Sequence, residues 1–551
     1  MSGQQPTLFE RIANSSKLSM LLLVVLSAFF FIGLGHLHLF DWDEINFAEA
    51  AREMIASGDY LHVQINFEPF WEKPPLFFWL QVIGMKLFGI NEFGARFPNA
   101  VFGFIYLITF YWIGRKHFSA KFGLMWSLVF FGSLLPHLYF KSGIIDPVFN
   151  YFIFLSIYFL IRVFEKEGKN IMYFALLSGV FSALSVLTKG PVGFLLFGLT
   201  FFFYAAWSRL NNLPNWRYFI LFILGFGAII GIWVSVEVAQ NGWTILMQFI
   251  EYQIELFTEP VAGHEQPFYY HFAVIFIGCF PISIFALSQF WKKRDDTPLD
   301  LRKWMLVLFW VVMILFSITT TKIIHYSSMS YAPLSLLATL GLVELSKKDF
   351  KRIKLVRISF LSFGLVLAAI ITAVPILFMN KELLMSLTED EFTLLGLENS
   401  DKWSGIELLP GIFLFAIVII SYLYIRKNRI ARGILVYGSG MGIALLLILV
   451  LIMPRIESFS QRPLVSFFEE KANENCYIET FGFKSYGQYF YGRVQLGNPK
   501  ESKDLGWLIH HGIDRPVYFV SKVTNKGLDQ YAQVKLIEER GGYRIYKREL
   551  P

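Results

Sequence analysis

The sequence predicts an α-helical polytopic membrane protein of about thirteen transmembrane helices, with in-plane juxtamembrane helices and a small C-terminal mixed α/β extracytoplasmic domain. Three observations carry this prediction. Hydrophobic residues make up 55% of the chain and the mean hydropathy is +0.50, more than a soluble domain sustains. Apolar runs long enough to cross a bilayer as a helix recur from the N-terminus to Pro454. Beyond Pro454 those runs stop, and 455–551 alternates short β-type runs with polar turns.

The candidate spans lie near 18–38, 97–114, 121–140, 147–164, 171–188, 191–208, 218–238, 268–291, 304–320, 327–346, 356–379, 407–425 and 431–453. Arg11 and Lys17 precede the first. That run outlasts a signal-peptide core and lacks a small-residue cleavage site, so it reads as a retained anchor. Around Lys189-Gly190-Pro191 two spans or one broken helix both fit. Alternate loops carry the positive charge: Arg115-Lys116, Lys166/Lys169, Arg209/Arg217, Lys292-Lys293-Arg294, Lys347-Lys348 and Arg426-Lys427. The opposite loops hold single lysines, and 239–267 has neither Lys nor Arg. This bias predicts a cytoplasmic N-terminus, with the C-terminal domain outside a cytoplasmic (inner) membrane. The net charge of +7 is thereby accounted for without nucleic acid. The two cysteines, Cys279 and Cys476, give no disulfide framework and no metal-ligand spacing.

Domains are therefore expected at 1–454, with extracytoplasmic loops 39–96 and 239–267, and at 455–551. In the first loop Glu44–Ser57 reads as a helix stopped at Gly58-Asp59. Its face carries Ile45, Ala48, Ala51 and Ile55, with Glu49, Arg52 and Glu53 off it. The Phe/Trp-rich run 76–90 and the stretch Leu246, Phe249, Ile250, Gln253, Phe257 suggest further in-plane helices. In the last domain, strands are expected over Cys476–Thr480, Val517–Lys522, Val534–Glu538 and Tyr543–Lys547.

The same topology puts Asp41, Asp43, Glu44, Glu72, Lys73, Asp146, Lys189, His264, Glu265, Lys322 and His325 at the outer membrane edge. Ionisable groups there are rare and point to function. Each has a plainer role: Asp41, Asp43 and Asp146 as helix caps, Glu72 and Lys73 as a solvated pair, Lys189 and Lys322 snorkelling to headgroups, and His264 as a structural histidine. Taken together, carboxylates that bind a divalent cation or a hydroxyl proton stand beside lysines suited to phosphate. Such a set, at the rim of wide apolar surfaces, suits a lipid-linked phosphate.

The stretches DEINFAEAAREMIASGDY, FEPFWEKPPLFFWL and GINEFGARFP resemble the first extracytoplasmic loop of the GT-C glycosyltransferases that use polyprenyl-phosphate sugars. Most similar are the 4-amino-4-deoxy-L-arabinose lipid A transferases, relatives of the protein O-mannosyltransferases. SGIIDPVFNYF, VLTKGPVGF and TTTKIIHYSSMSYAPL agree with this. The resemblance implies catalytic roles for Asp43, Glu44 and Asp146, lipid-phosphate binding by Lys73, Lys189 and Lys322, and a divalent metal (Zn, Mg or Mn) at Glu72 and His264. Two departures stand out: Ile324 replaces a proline of many relatives, and loop 239–267 lacks the basic phosphate ligand of some.

The implied activity is inverting transfer of a sugar, an aminopentose or hexose, from an undecaprenyl phosphate donor to lipid A, another glycan or a protein. The enzyme is expected to act as a monomer among membrane lipids. A polyprenyl-phosphate transporter would share the phosphate site. It would also show an inverted repeat and midplane charges, whereas no repeat is evident and the charges lie on one face.

Overall fold

The computed structural model describes residues 7–40, 42–165, 170–210, 213–258, 266–292, 297–319, 321–347 and 353–550. Asp41, His264 and Glu265, with the loop lysines 166, 169, 293 and 348, lie outside these residues.

Among the described residues nine helices are long and apolar enough to cross a membrane, or eleven with each of two bent pairs counted as one. The remaining two expected spans fall on the shorter apolar helices Ala120–Phe131 and Val192–Trp207. Ala120–Phe131 stops at Gly132, and a second short helix, Leu134–Tyr139, continues the path. The first bent pair turns by 106° between Leu8–Asn14 and Ser16–Phe31, so the spanning part of the anchor ends at Phe31, short of the expected 38. The second bends by 118° between Tyr270–Gly278 and Ile282–Phe290. The single span expected over 268–291 is thus broken, at the point where Pro281 removes a backbone donor. At Lys189-Gly190-Pro191 the chain forms a hairpin of two helices rather than one broken helix. A Cβ on Gly193 would sit 2.4 Å from Ser185 Oγ, and Gly190 turns the corner at φ +90°.

The three segments expected to lie in plane form the helices Asp43–Ser57, Leu76–Phe88 and Trp243–Thr258. Asp43–Ser57 differs from expectation in its surroundings, because every residue from Glu44 to Met54 is buried. Its polar face is covered by protein instead of facing headgroups or water. Arg52 forms a two-pronged pair with Glu49 at 2.7 Å for each bond, and donates to Val494 O at 3.0 Å. The Phe67 amide donates to Glu53 Oε2 at 2.7 Å. Burial and the neighbouring Glu49 carboxylate push the Glu53 carboxyl up.

The helix Ile430–Leu447 runs on through a π turn and Met453–Phe459. Pro454 lies inside this continuous run, where it cannot donate a backbone bond, and the π turn just before it is the local adjustment that carries the helix past it. Beyond it lies a four-stranded sheet. Tyr477–Phe481 runs parallel beside Val517–Lys522, which pairs antiparallel with Tyr543–Arg548, and Lys535–Arg540 forms the outer edge.

This sheet domain is tied to the first loop. The Leu39 amide donates to Tyr491 Oη at 2.7 Å, Tyr491 donates to Glu92 at 3.1 Å, and Lys503 pairs with Glu68 at 2.5 Å. His38 sits between Glu457 at 3.1 Å and Glu469 at 3.8 Å. Burial opposes its charge, but the two carboxylates outweigh burial and push His38 up to about 9. A raised histidine stabilises fully below its ordinary value of 6.5 and loses that contribution as pH climbs through about 9. The thermal midpoint of the wild type is therefore expected to fall between pH 6.5 and about pH 10, with a flatter profile in His38→Gln. Parallel profiles for the two proteins would refute this.

Candidate active site

Asp43 begins the helix Asp43–Ser57, and that helix stops at Gly58 with φ +75°, in the left-handed region that glycine tolerates. No side chain caps its N-terminus. The Asp43 carboxylate turns instead to His325 Nε2, 3.2 Å away. Asp146 begins the next buried helix, with Pro147 in the first turn. Its Oδ1 accepts from Lys189 Nζ at 2.6 Å and from Ser328 Oγ at 3.5 Å, while Asn150 holds Ser328 at 2.8 Å. The other oxygen, Oδ2, lies 4.0 Å from His325 Nε2 and has no hydrogen-bond partner.

Lys189 ends the helix Ile171–Lys189, where a cation complements the helix dipole. Its ammonium also lies over the rings of Phe149 at 5.6 Å and Tyr326 at 5.3 Å. It is held inside the protein and does not snorkel. Glu72 and Lys73 pair at 3.2 Å. Their loop is fixed from the in-plane helix Trp243–Thr258, where Gln253 Nε2 donates to the carbonyls of Trp71 at 3.0 Å and Glu72 at 3.2 Å. The Lys73 ammonium acts on the His325 ring, as do Asp43, Asp146 and Lys189. Lys322 is buried and donates to Thr319 O at 2.7 Å. It acts electrostatically on His271, as His325 does.

The structure thus gathers Asp43, Asp146, Lys189 and Lys73 around His325, with Lys322 at the flank. The Asp43 side chain is 29% exposed against 3% for Asp146, so Asp43 is the acid reachable from outside the protein and Asp146 is buried. Glu44, the other acid expected at the N-terminus of the helix Asp43–Ser57 to be catalytic, is buried. Its carboxylate accepts two bonds from Arg96 at 2.8 and 2.9 Å, the Phe40 amide at 2.8 Å, and the Gly143 amide. All its acceptor positions are engaged inside the protein, so it fixes the frame of the site. For the expected metal, the described residues supply only Glu72, whose partner is Lys73 and not a histidine; His264 lies outside them.

His325 is the central residue that sequence reasoning left without a role. The signal was present in Lys322-Ile323-Ile324-His325, at the start of the last matching motif. The pairing of Arg96 with Glu44 and the bonds from Gln253 to the Trp71 and Glu72 carbonyls were not foreseen, since nothing local marks a partner far along the chain.

The sequence family described as dolichyl-phosphate-mannose-protein mannosyltransferase matches residues 72–234. An uncharacterized protein of Aquifex aeolicus is 30% identical over 325 residues, covering 58% of this chain and 71% of its own. The undecaprenyl phosphate-alpha-4-amino-4-deoxy-L-arabinose arabinosyl transferase of Wigglesworthia glossinidia brevipalpis is 24% identical over 348 residues, 62% of this chain. The match spans 61% of that enzyme's length. The crystal structure of ArnT from Cupriavidus metallidurans bound to undecaprenyl phosphate superposes with a TM-score of 0.77 at 18% identity, covering 97% of this chain and 98% of that one. At that identity the likeness is one of fold.

Proposed function

Because this chain belongs to the GT-C membrane glycosyltransferases, the group of the arabinosyl and protein mannosyl transferases, we propose that it transfers a sugar from undecaprenyl phosphate to an acceptor outside the cytoplasmic membrane. The sugar is an aminopentose or hexose and the acceptor lipid A, with a protein acceptor as the second reading favoured by the mannosyltransferase match over 72–234. The N-terminus is cytoplasmic, the sheet domain is periplasmic, and the enzyme works as a monomer.

The observation that carries the reading is the cluster of acids and lysines about His325: Asp43 lies 3.2 Å and Asp146 4.0 Å from its Nε2, Lys189 pairs with Asp146 at 2.6 Å, and Lys73 acts on the same imidazole. In a single displacement the bond from the anomeric carbon to the phosphate oxygen breaks, and its electron pair leaves with the phosphate. The acceptor oxygen bonds from the opposite face, inverting the centre. Lys73 neutralises the departing phosphate, with Lys189 and Lys322 adding positive potential. A hydroxyl acceptor gives its proton to Asp43. A phosphate acceptor is already nucleophilic and needs no base, so Asp43 then orients the sugar.

Purified protein is expected to release undecaprenyl phosphate from a labelled lipid-linked sugar only when acceptor is present. Release without acceptor, or none with any acceptor, would refute the reading. Glu72 and His264 would hold a divalent cation, which would supply further positive charge for the phosphate. Dialysis against EDTA is expected to lower turnover and added Zn²⁺, Mg²⁺ or Mn²⁺ to restore it; unchanged turnover removes the cation.

A further inference from the structure

The sheet domain and the first loop enclose a cleft of about 580 Å³, counting its open mouth. It lies apart from the reacting groups, since none of Asp43, Lys73, Asp146, Lys189 and His325 lines it. Five side-chain amides do: Asn66 from the first loop, and Asn475, Gln488, Gln495 and Asn498 from the domain. Of the charged groups in its wall, Glu474 pairs with Lys471 and Arg515 with Asp514. Glu479 and Arg493 line the same cleft and form no ion pair among the described residues. Glu479 is met by neutral donors alone: the Thr480 amide at 2.9 Å, Gln488 Nε2 at 3.2 Å and Tyr489 Oη at 3.4 Å. Burial, with no cation to offset it, pushes this carboxyl up. Arg493 gives one bond, at 2.8 Å, to the Ile90 carbonyl. Asn66 and Arg493 both hold left-handed backbone, at φ +54° and +55°, a strain that collects at ligand sites.

Acceptors and donors left without partners in such a wall are costly, and a carboxylate without a cation more so. Gln488 is 3% exposed and its Oε1 accepts nothing, while its Nε2 is committed to Glu479. Exchanging the two atoms would set an oxygen against the carboxylate, so the amide is fixed as it stands. A sugar answers this mixture of groups, because each hydroxyl donates and accepts at once. Its hydroxyls can donate to Glu479 and accept from Arg493 and the amides. A peptide fits less well. Tyr477–Phe481 is a sheet edge, but the Thr480 amide that an added strand would use already donates to Glu479.

We infer that this cleft is a carbohydrate-binding site, separate from the reacting centre, and that it holds a sugar of the acceptor. The carbohydrate class stands on the cleft alone, and its source in the acceptor rests on the function proposed above. The donor sugar is excluded, because its anomeric carbon must reach Asp43 and Lys73. An acceptor glycan can span the interval. Arg52 donates to the Val494 carbonyl in the cleft wall, and lies nine residues along the helix from Asp43, about 14 Å.

The test applies full-length protein in detergent to an array of bacterial-surface oligosaccharides, deacylated lipopolysaccharide among them, with unglycosylated peptides alongside. Wild type is expected to retain at least one oligosaccharide. Glu479→Gln keeps the side chain's shape and removes its charge. Asn475→Trp fills the mouth from an exposed position, without disturbing a buried contact. Each is expected to weaken oligosaccharide binding roughly tenfold or more, the loss typical of a hydrogen bond to a charged group. Affinity for undecaprenyl phosphate should not change. In transfer assays both variants should raise the KM for acceptor at unchanged kcat. An array with no retained oligosaccharide overturns the site, as does binding of wild-type strength in Asn475→Trp. Peptides retained in place of sugars, and released by Asn475→Trp, overturn the carbohydrate class. Equal loss of undecaprenyl phosphate affinity overturns the separation from the reacting centre. Weakened sugar binding with an unchanged acceptor KM overturns the acceptor as its source. Sugar binding in a protein that transfers to no acceptor overturns the proposed function and that source, and leaves the carbohydrate site standing.

Discussion

Replacing Asp43 by asparagine is expected to slow sugar transfer to a hydroxyl acceptor by about a hundredfold or more, the usual loss when a general base is removed. The substitution keeps the size and one oxygen acceptor, so the contact to His325 at 3.2 Å can persist while proton uptake does not. The acceptor decides the meaning of the result. A loss confined to hydroxyl acceptors assigns Asp43 as the base, whereas an equal loss with a phosphate acceptor assigns it to orienting the sugar. Turnover within a few-fold of wild type on both would remove Asp43 from the reaction. The companion Asp146→Asn should behave differently. Its Oδ1 pairs with Lys189 at 2.6 Å, so it unsettles the lysine and raises the donor requirement along with lowering turnover.

Arg96→Leu is expected to be the most destabilising single change in the first loop. Arg96 and Glu44 are 3% and 2% exposed, and the guanidinium also donates to the carbonyls of Leu34, Leu37 and His38. Removing it strands a buried carboxylate and leaves three carbonyls short of a donor. Breaking one partner of such a pair typically costs about 3–5 kcal/mol. Glu44→Leu alone should be about as harmful, and Glu44→Leu with Arg96→Leu less so than the sum, because neither charge is then stranded. Thermal unfolding of the purified variants checks this. Additive losses would show that Glu44 and Arg96 do not act as a unit. Retention of fold with selective loss of turnover in Glu44→Gln would return Glu44 to the catalytic set.

Much of the scaffold could be read from the chain because hydropathy is a local property. Each expected span overlaps a helix or a broken pair of helices, and the helix Asp43–Ser57 was expected within one residue of its start. The four strands after 476 were likewise placed nearly to the residue, their β-type runs being set off by polar turns. Breaks were harder to place. The bend at Cys279–Pro281 lies in an unbroken apolar run, and hydropathy does not register a missing backbone donor. The expected site was readable as a set of charges at one membrane edge, and its internal order was not. Glu44 and Asp43 are adjacent and chemically alike, yet a helical step of about 100° sends one to Arg96 and the other to His325.

By itself the sequence determined a polytopic helical protein with acids and lysines concentrated beside its first and second outer loops, since composition, run length and loop charge need no partner to be meaningful. Only the tertiary structure decided that the face of Glu49, Arg52 and Glu53 is covered, that His325 lies between Asp43 and Asp146, and that neither nitrogen of His271 has a hydrogen-bond partner among the described residues. Those outcomes depend on which segments distant along the chain meet, and a side chain's environment is set by what packs against it.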